Sequence, residues 1–107
     1  GVGHAIHTEG DPRATSLLRI AEQTGHSGPH VEAVRELVAA GERLAGRPLP
    51  LNVTGAVAAA LTELGVPWRL HRGFALVSRT AGLVAHIGEE IEDPITPGIR
   101  KLAREQH

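Results

Sequence analysis

Four groups of residues have types and spacings suited to chemistry. Arg79 lies in the middle of the run Gly73 to Gly88, which is apolar on nearly every side. A guanidinium buried there must meet a carboxylate, a phosphate or carbonyl groups, because an unpaired buried charge is prohibitive. It would then either pair internally with Glu89 or Glu63, or act as a planar two-donor clamp on a ligand carboxylate. Arg13 stands one residue inside a helix start signalled by Asp11-Pro12, where the helix dipole already favours anions. Gly1-Val2-Gly3-His4 places two glycines before a histidine. Such a turn lets backbone N–H groups approach a phosphate or an adenine closely, although a flexible turn has the same composition. It is no dinucleotide fingerprint, since Ile6 occupies the third glycine position. Thr54, within Pro50-Leu51-Asn52-Val53-Thr54-Gly55, is expected to cap the next helix. A hydroxyl is no unaided general base near neutral pH.

His4, His7, His26, His30 and His86 raise the question of metal binding. His4 and His7, with Glu9 and Asp11 nearby, could supply ligands. His26 and His30, however, flank Ser27-Gly28-Pro29, which prevents helical i, i+4 convergence, and the chain has neither Cys nor an HExxH pattern. No metal site is expected. The absence of Cys also excludes disulfides and thiolate catalysis and suits a reducing compartment such as the cytoplasm. With 11 Lys+Arg against 12 Asp+Glu, the net charge of −1 offers no basic excess to displace phosphate counterions. Trp68 and Phe74 are the only aromatic residues, too few for a base-stacking platform, so nucleic acid is not an expected partner. The apolar run Gly73 to Gly88 is interrupted by Arg79 and His86 and is shorter than the roughly 18 residues that span a bilayer, so no membrane role is expected either.

The elements that must position these residues are helices. Asp11-Pro12 opens the first, with Ala14, Leu17, Leu18 and Ala21 on one apolar face. A second helix is predicted from about His30 to Ala45, with Val31, Val34, Val38 and Leu44 inward and Gly46 as its stop. A third is predicted from Thr54 to Leu64, with an alanine run at 58–60 that admits a close helix neighbour and Gly65 at its end. A fourth begins at Pro67 and continues to about Ile91, with a centre apolar enough to be a buried central helix. Asp93-Pro94 breaks the chain before a short helix from Ile99 to Gln106. No strand-period run competes, so the fold class is all-α, in a chain of 107 residues without internal repeats.

In this order, the motifs resemble the C-terminal part of the citrate synthase superfamily. Gly1-Val2-Gly3-His4 followed by Asp11-Pro12-Arg13 is similar to its G-[FYV]-G-H-x(6)-D-P-R signature. Leu51-Asn52-Val53 is similar to its P-N-V-D segment, and Val77-Ser78-Arg79 with Gly82 and Ala85-His86 to its [IV]-[SG]-R-x-x-G-x-x-A-H helix. His4-Ala5-Ile6-His7 and Arg79-Thr80-Ala81-Gly82 resemble the citryl-CoA lyase-like branch. The resemblance implies an α-helical homodimeric enzyme that makes or cleaves a C–C bond between an acyl-CoA and a 2-oxo or hydroxy polycarboxylate. It implies coenzyme A thioester as substrate, with no tightly bound cofactor. His4 would polarise the keto or hydroxyl oxygen, Arg13 and Arg79 would grip carboxylates, and Gly1, Val2, Gly3 and Asn52 would help hold coenzyme A. A second active-site histidine is expected upstream of Gly1, in a longer chain of which residues 1–107 form the C-terminal segment.

Three positions depart from that pattern. Thr54 aligns with the carboxylate that removes the acyl-CoA proton, and losing such a base costs orders of magnitude in rate. Asp93-Pro94 stands where the family often has Arg-Pro contributing a carboxylate-binding arginine across the dimer, and Thr8 where it often has Lys or Arg. The chain thus belongs either to an enzyme of citrate synthase or citryl-CoA lyase type, or to a paralogue that binds coenzyme A or carboxylates without turnover. A purely structural helical module, with Arg79 paired internally, is the third reading.

Overall fold

The computed structural model describes residues 1–105. Five α-helices follow one another: α1 (Pro12–Gln23), α2 (Pro29–Ala45), α3 (Val53–Glu63), α4 (His71–Glu92) and α5 (Thr96–Glu105), with a single 3₁₀ turn at Trp68–Leu70. Among the described residues the only strand-like pairing is an isolated antiparallel bridge between Val2 and Leu51. The chain divides into two compact units, Gly1–Arg72 and Gly73–His107.

In the first unit α3 packs against both α1 and α2. The core is made mostly of small side chains with two branched aliphatic ones: Ala14 and Ala21 from α1, Val31 from α2, and Ala56, Ala59 and Leu61 from α3. Alanines on α3 let both neighbours approach closely, as its sequence suggests. Leu17, Leu18, Val34 and Val38 are half-buried, whereas Leu44 is 90% exposed rather than inward, because α2 is longer than the partner it packs on.

The helix ends are closed in different ways. Asp11 caps α1, and Gly46 ends α2 with φ of +62°, a left-handed conformation that glycine adopts without a steric penalty. Gly28, at the start of α2, has no side chain to cap with. Glu63, from the end of α3, does this instead: Oε1 accepts from the backbone N–H groups of His30 and of Val31 (2.9 Å). A Cβ on Gly28 would lie 2.7 Å from Glu63 Oε2, so the absent side chain makes room for the carboxylate. Burial pushes the Glu63 carboxyl up, but the Val31 N–H bond, the His30 ring and the His30 N–H together hold it below its ordinary value.

The second unit is built differently. α4 forms where the sequence places it, with a 3₁₀ turn ahead of it, but none of its residues is buried. Phe74, Leu76, Val77, Leu83, Val84, Ile87 and Ile91 are all at least half exposed. The expected burial of this helix is therefore not realised: within its unit the other described element is the ten-residue α5, too small to surround 22 residues. α5 begins at Thr96, three residues earlier than expected, because Glu90 accepts from the N–H groups of Ile95 (3.1 Å) and Thr96 (3.0 Å). Gln106, predicted as its last residue, lies outside the described residues.

Candidate functional site in the loop before α1 and at the start of α3

The N-terminal loop is fastened to the start of α3. Gly3 N–H donates to Pro50 O (2.7 Å), and Asn52 N–H donates to Gly1 O (2.9 Å), which together frame the Val2–Leu51 bridge. The Asn52 side chain completes the attachment: Nδ2 donates to Gly3 O (2.9 Å), while Oδ1 accepts from Gly55 N–H (3.2 Å). Gly1 and Gly55 meet backbone to backbone, since a Cβ on Gly1 would lie 2.2 Å from Gly55 N and one on Gly55 2.7 Å from Gly1 O. Only glycine at both positions permits this approach.

Asn52, and not Thr54, therefore caps α3. Counting from Asn52, Gly55 is the third helical residue, whose N–H an N-cap side chain reaches; Thr54 is already inside the first turn and is exposed. Two capping residue types stand two positions apart, and the loop contact to Gly3 O is what selects between them.

Three side chains converge on the loop at the start of α1. His4 Nδ1 accepts from two backbone N–H groups, those of Ile6 and His7, each at 3.1 Å. A ring nitrogen that accepts both carries no proton, which favours the tautomer with its hydrogen on Nε2. Arg13 Nη2 lies 3.2 Å from that Nε2. Behind Arg13, the buried Asp11 takes hold of the guanidinium: Oδ1 accepts from Nε (2.9 Å) and Oδ2 from Nη2 (2.9 Å). Oδ1 also accepts from Arg13 N–H (3.1 Å) and Oδ2 from Val53 N–H (2.8 Å). The Arg13 side-chain bonds, opposed by burial and reinforced by the Val53 N–H, hold the Asp11 carboxyl far below the usual carboxylate range, and Asp11 raises the Arg13 guanidinium in turn.

His4, Arg13, Asn52 and the Gly1–Gly3 turn thus share one unit. Arg79 belongs to the other, on α4, where it is exposed. The burial that would have forced it to pair is absent, and its Nη2 lies 2.9 Å from where a Cβ on Gly82 would stand. Among the described residues neither Glu89 nor Glu63 pairs with it: Glu89 faces His86 (3.2 Å) and Glu63 faces His30 (3.4 Å). The fourfold use of Asp11 goes beyond the helix cap that Asp11-Pro12 signals, although an aspartate two residues before an arginine is consistent with it. The sequence reading does not foresee that His7 supplies a backbone donor to His4 and sets its ring 4.7 Å from that of His4. Among the described residues no three His, Asp or Glu side chains are grouped to hold a metal ion, and no helix is long and apolar enough to cross a membrane.

Comparison with known proteins agrees with this arrangement of motifs. The family described as "Citrate synthase, C-terminal domain" matches residues 1–104. Citrate synthase of Haloferax volcanii is 31% identical over 94 residues, covering 87% of this chain and 25% of that protein. Citrate synthase 2 of Bacillus subtilis is 33% identical over 98 residues, again with 87% and 25% covered. The structure of citryl-CoA lyase from Hydrogenobacter thermophilus superposes with a TM-score of 0.77 at 38% identity, over 90% of this chain and 36% of that one. The chain spans about a quarter of the length of the two curated relatives. The His4 loop, Asp11-Pro12-Arg13, the α3 start and α4 all fall within the matched residues, and the chain belongs to the citrate synthase family, in the part that forms its C-terminal domain.

Proposed function

We propose that this chain supplies the carboxylate-binding and coenzyme A-binding face of a protein that forms or cleaves a C–C bond between an acyl-CoA and a 2-oxo or hydroxy polycarboxylate. One observation carries the proposal: His4 Nε2 and Arg13 Nη2 stand 3.2 Å apart, while Nδ1 of the same ring is taken up by two backbone N–H groups. With the ring hydrogen on Nε2 both atoms are donors and satisfy nothing in each other, whereas a ligand that sets a keto or hydroxyl oxygen beside a carboxylate takes a hydrogen from each. On this reading His4 donates to the keto or hydroxyl oxygen of the acid, drawing electron density from the carbon whose bond is made or broken. Arg13 holds a carboxylate of the same molecule; Arg79, on the other unit, is a carboxylate-binding residue on the strength of the family motif alone. Gly1, Val2, Gly3 and Asn52 hold the coenzyme A thioester, which enters as substrate. The domain would work as part of a longer homodimeric protein in the cytoplasm.

A second reading has its own observation. Thr54 is exposed in the first turn of α3 and carries no carboxylate. Removing a proton from an acyl-CoA methyl needs a base stronger than a neutral hydroxyl. The alternative is a paralogue that binds the same ligands without turning them over.

Calorimetric titration of the chain with oxaloacetate, citrate and coenzyme A tests the binding claim. Oxaloacetate should bind saturably, and both His4→Ala and Arg13→Ala should weaken it about tenfold or more. Undiminished binding in both variants, or no binding of any of the three ligands, contradicts it. In a relative-length chain, Thr54→Asp should sharply raise acyl-CoA proton exchange; fast exchange with Thr54 in place would instead remove the non-catalytic reading.

A further inference from the structure

Asp11 does more than cap a helix. An N-cap needs one oxygen for one N–H, and Asp11 supplies that with Oδ1 to Arg13 N–H. Its other three bonds go elsewhere: to Arg13 Nε, to Arg13 Nη2, and to the first N–H of α3 at Val53. The side chain is fully shielded from solvent, whereas that of Arg13 is 54% exposed. The guanidinium is therefore held by its rear edge, Nε and Nη2, against a buried carboxylate. Its outer edge carries Nη1, which no side chain among the described residues takes up, and the second hydrogen of Nη2, which faces His4 Nε2.

We infer that Asp11 is a positioning residue that fixes which edge of Arg13 meets the ligand, so that a carboxylate is received end-on by Nη1 and Nη2 beside the His4 donor. This rests on the carboxylate-binding reading above. The physical case is that a free arginine presents its donors in many orientations and loses that freedom on binding, whereas a fork already locked on a carboxylate has lost it in advance. Asp11 also cancels the charge of Arg13, so recognition relies on the direction of the donors rather than on net attraction. Through Val53, the same carboxylate ties that direction to the helix start where Asn52 holds the Gly1–Gly3 turn.

The test uses the full 107-residue chain and its Asp11→Asn variant, which keeps one oxygen for Val53 N–H but loses the charge and the second acceptor. Two readouts are taken from each: oxaloacetate affinity, and the Arg13 Nε–H resonance in proton–nitrogen spectra. The expected result is a protected Nε–H in the parent chain that becomes labile in Asp11→Asn. Oxaloacetate binding should fall about tenfold at 0.15 M salt, with a steeper salt dependence because Arg13 is no longer neutralised. Equal affinity in the two chains, or an Nε–H as labile in the parent as in the variant, overturns the inference. If the parent binds no oxaloacetate, the ligand reading fails on its own, and the Nε–H comparison alone decides whether Asp11 positions Arg13. Should Asp11→Asn lose its dispersed amide spectrum, Arg13→Lys replaces it. Lysine keeps the charge but has no two-edged fork, so a similar tenfold loss supports the inference and parent-like affinity overturns it.

Discussion

Gly1–Arg72 and Gly73–Glu105 contain similar helices but are held together by different means. In the first unit one buried and two half-buried polar side chains tie distant stretches together: Asp11 to Val53, Asn52 to Gly3, Glu63 to His30 and Val31. In the second, α4 forms with no buried residue, and its polar bonds reach only three to six residues along the chain, as from Glu89 to His86 and from Glu90 to Ile95 and Thr96. Helix formation therefore requires only local spacing, whereas a site requires bonds between residues far apart in sequence.

That difference predicts an uneven response to acid, which should be the largest effect. Asp11 and Glu63 have folded-state values below their ordinary ones, so the unfolded chain binds more protons than the folded chain as pH falls through about 4. Their contribution is complete above that pH and is lost below it. Amide protection factors at Val53 and Val31 should fall on acidification, and Asp11→Asn with Glu63→Gln should flatten this dependence. An unchanged pH profile in the double variant would show that these carboxylates do not hold the unit. Glu90, also depressed through its bonds to Thr96 and Ile95, should release only the start of α5.

Glycine substitutions sharpen the contrast at intermediate size. Gly55→Ala puts a methyl 2.6 Å from Leu51 Cδ1 and 2.7 Å from a backbone oxygen, and should cost the first unit about 2 kcal/mol. Gly88→Ala, with nothing within 4 Å of the added carbon, should stabilise α4 by about 1 kcal/mol. Residue-resolved hydrogen exchange reads both effects, and equal signs would dissolve the distinction.

The smallest effect concerns caps. Asn52→Ala should cost about 1 kcal/mol, while Thr54→Ala should stay within about 0.5 kcal/mol of neutral. A reversed order in denaturant titrations would return the cap to Thr54.

Much of this was legible in the sequence because it is local. Asp11-Pro12 starts a helix and Gly46 ends one through backbone preferences that need no tertiary partner. The glycine turn before His4, the helix start before Arg13 and the family resemblance single out two residues that the structure places 3.2 Å apart. Two features were not legible for physical reasons. Asn52 rather than Thr54 caps α3 because of a contact to Gly3, 49 residues away in sequence. Periodicity marked α4 as apolar, but a pattern of side chains does not specify what covers them, so the burial inferred for Arg79 did not follow.

The central claim is that His4 Nε2 and Arg13 Nη2 each give a hydrogen to one ligand, His4 to its keto or hydroxyl oxygen and Arg13 to its carboxylate. Nitrogen-15 spectra of the His4 ring during oxaloacetate titration test it most directly. The free chain should show the ring hydrogen on Nε2 with Nδ1 unprotonated, and oxaloacetate should shift Nε2 saturably while Nδ1 stays an acceptor. A hydrogen on Nδ1 in the free chain, or an Nε2 signal indifferent to saturating oxaloacetate, would contradict the account.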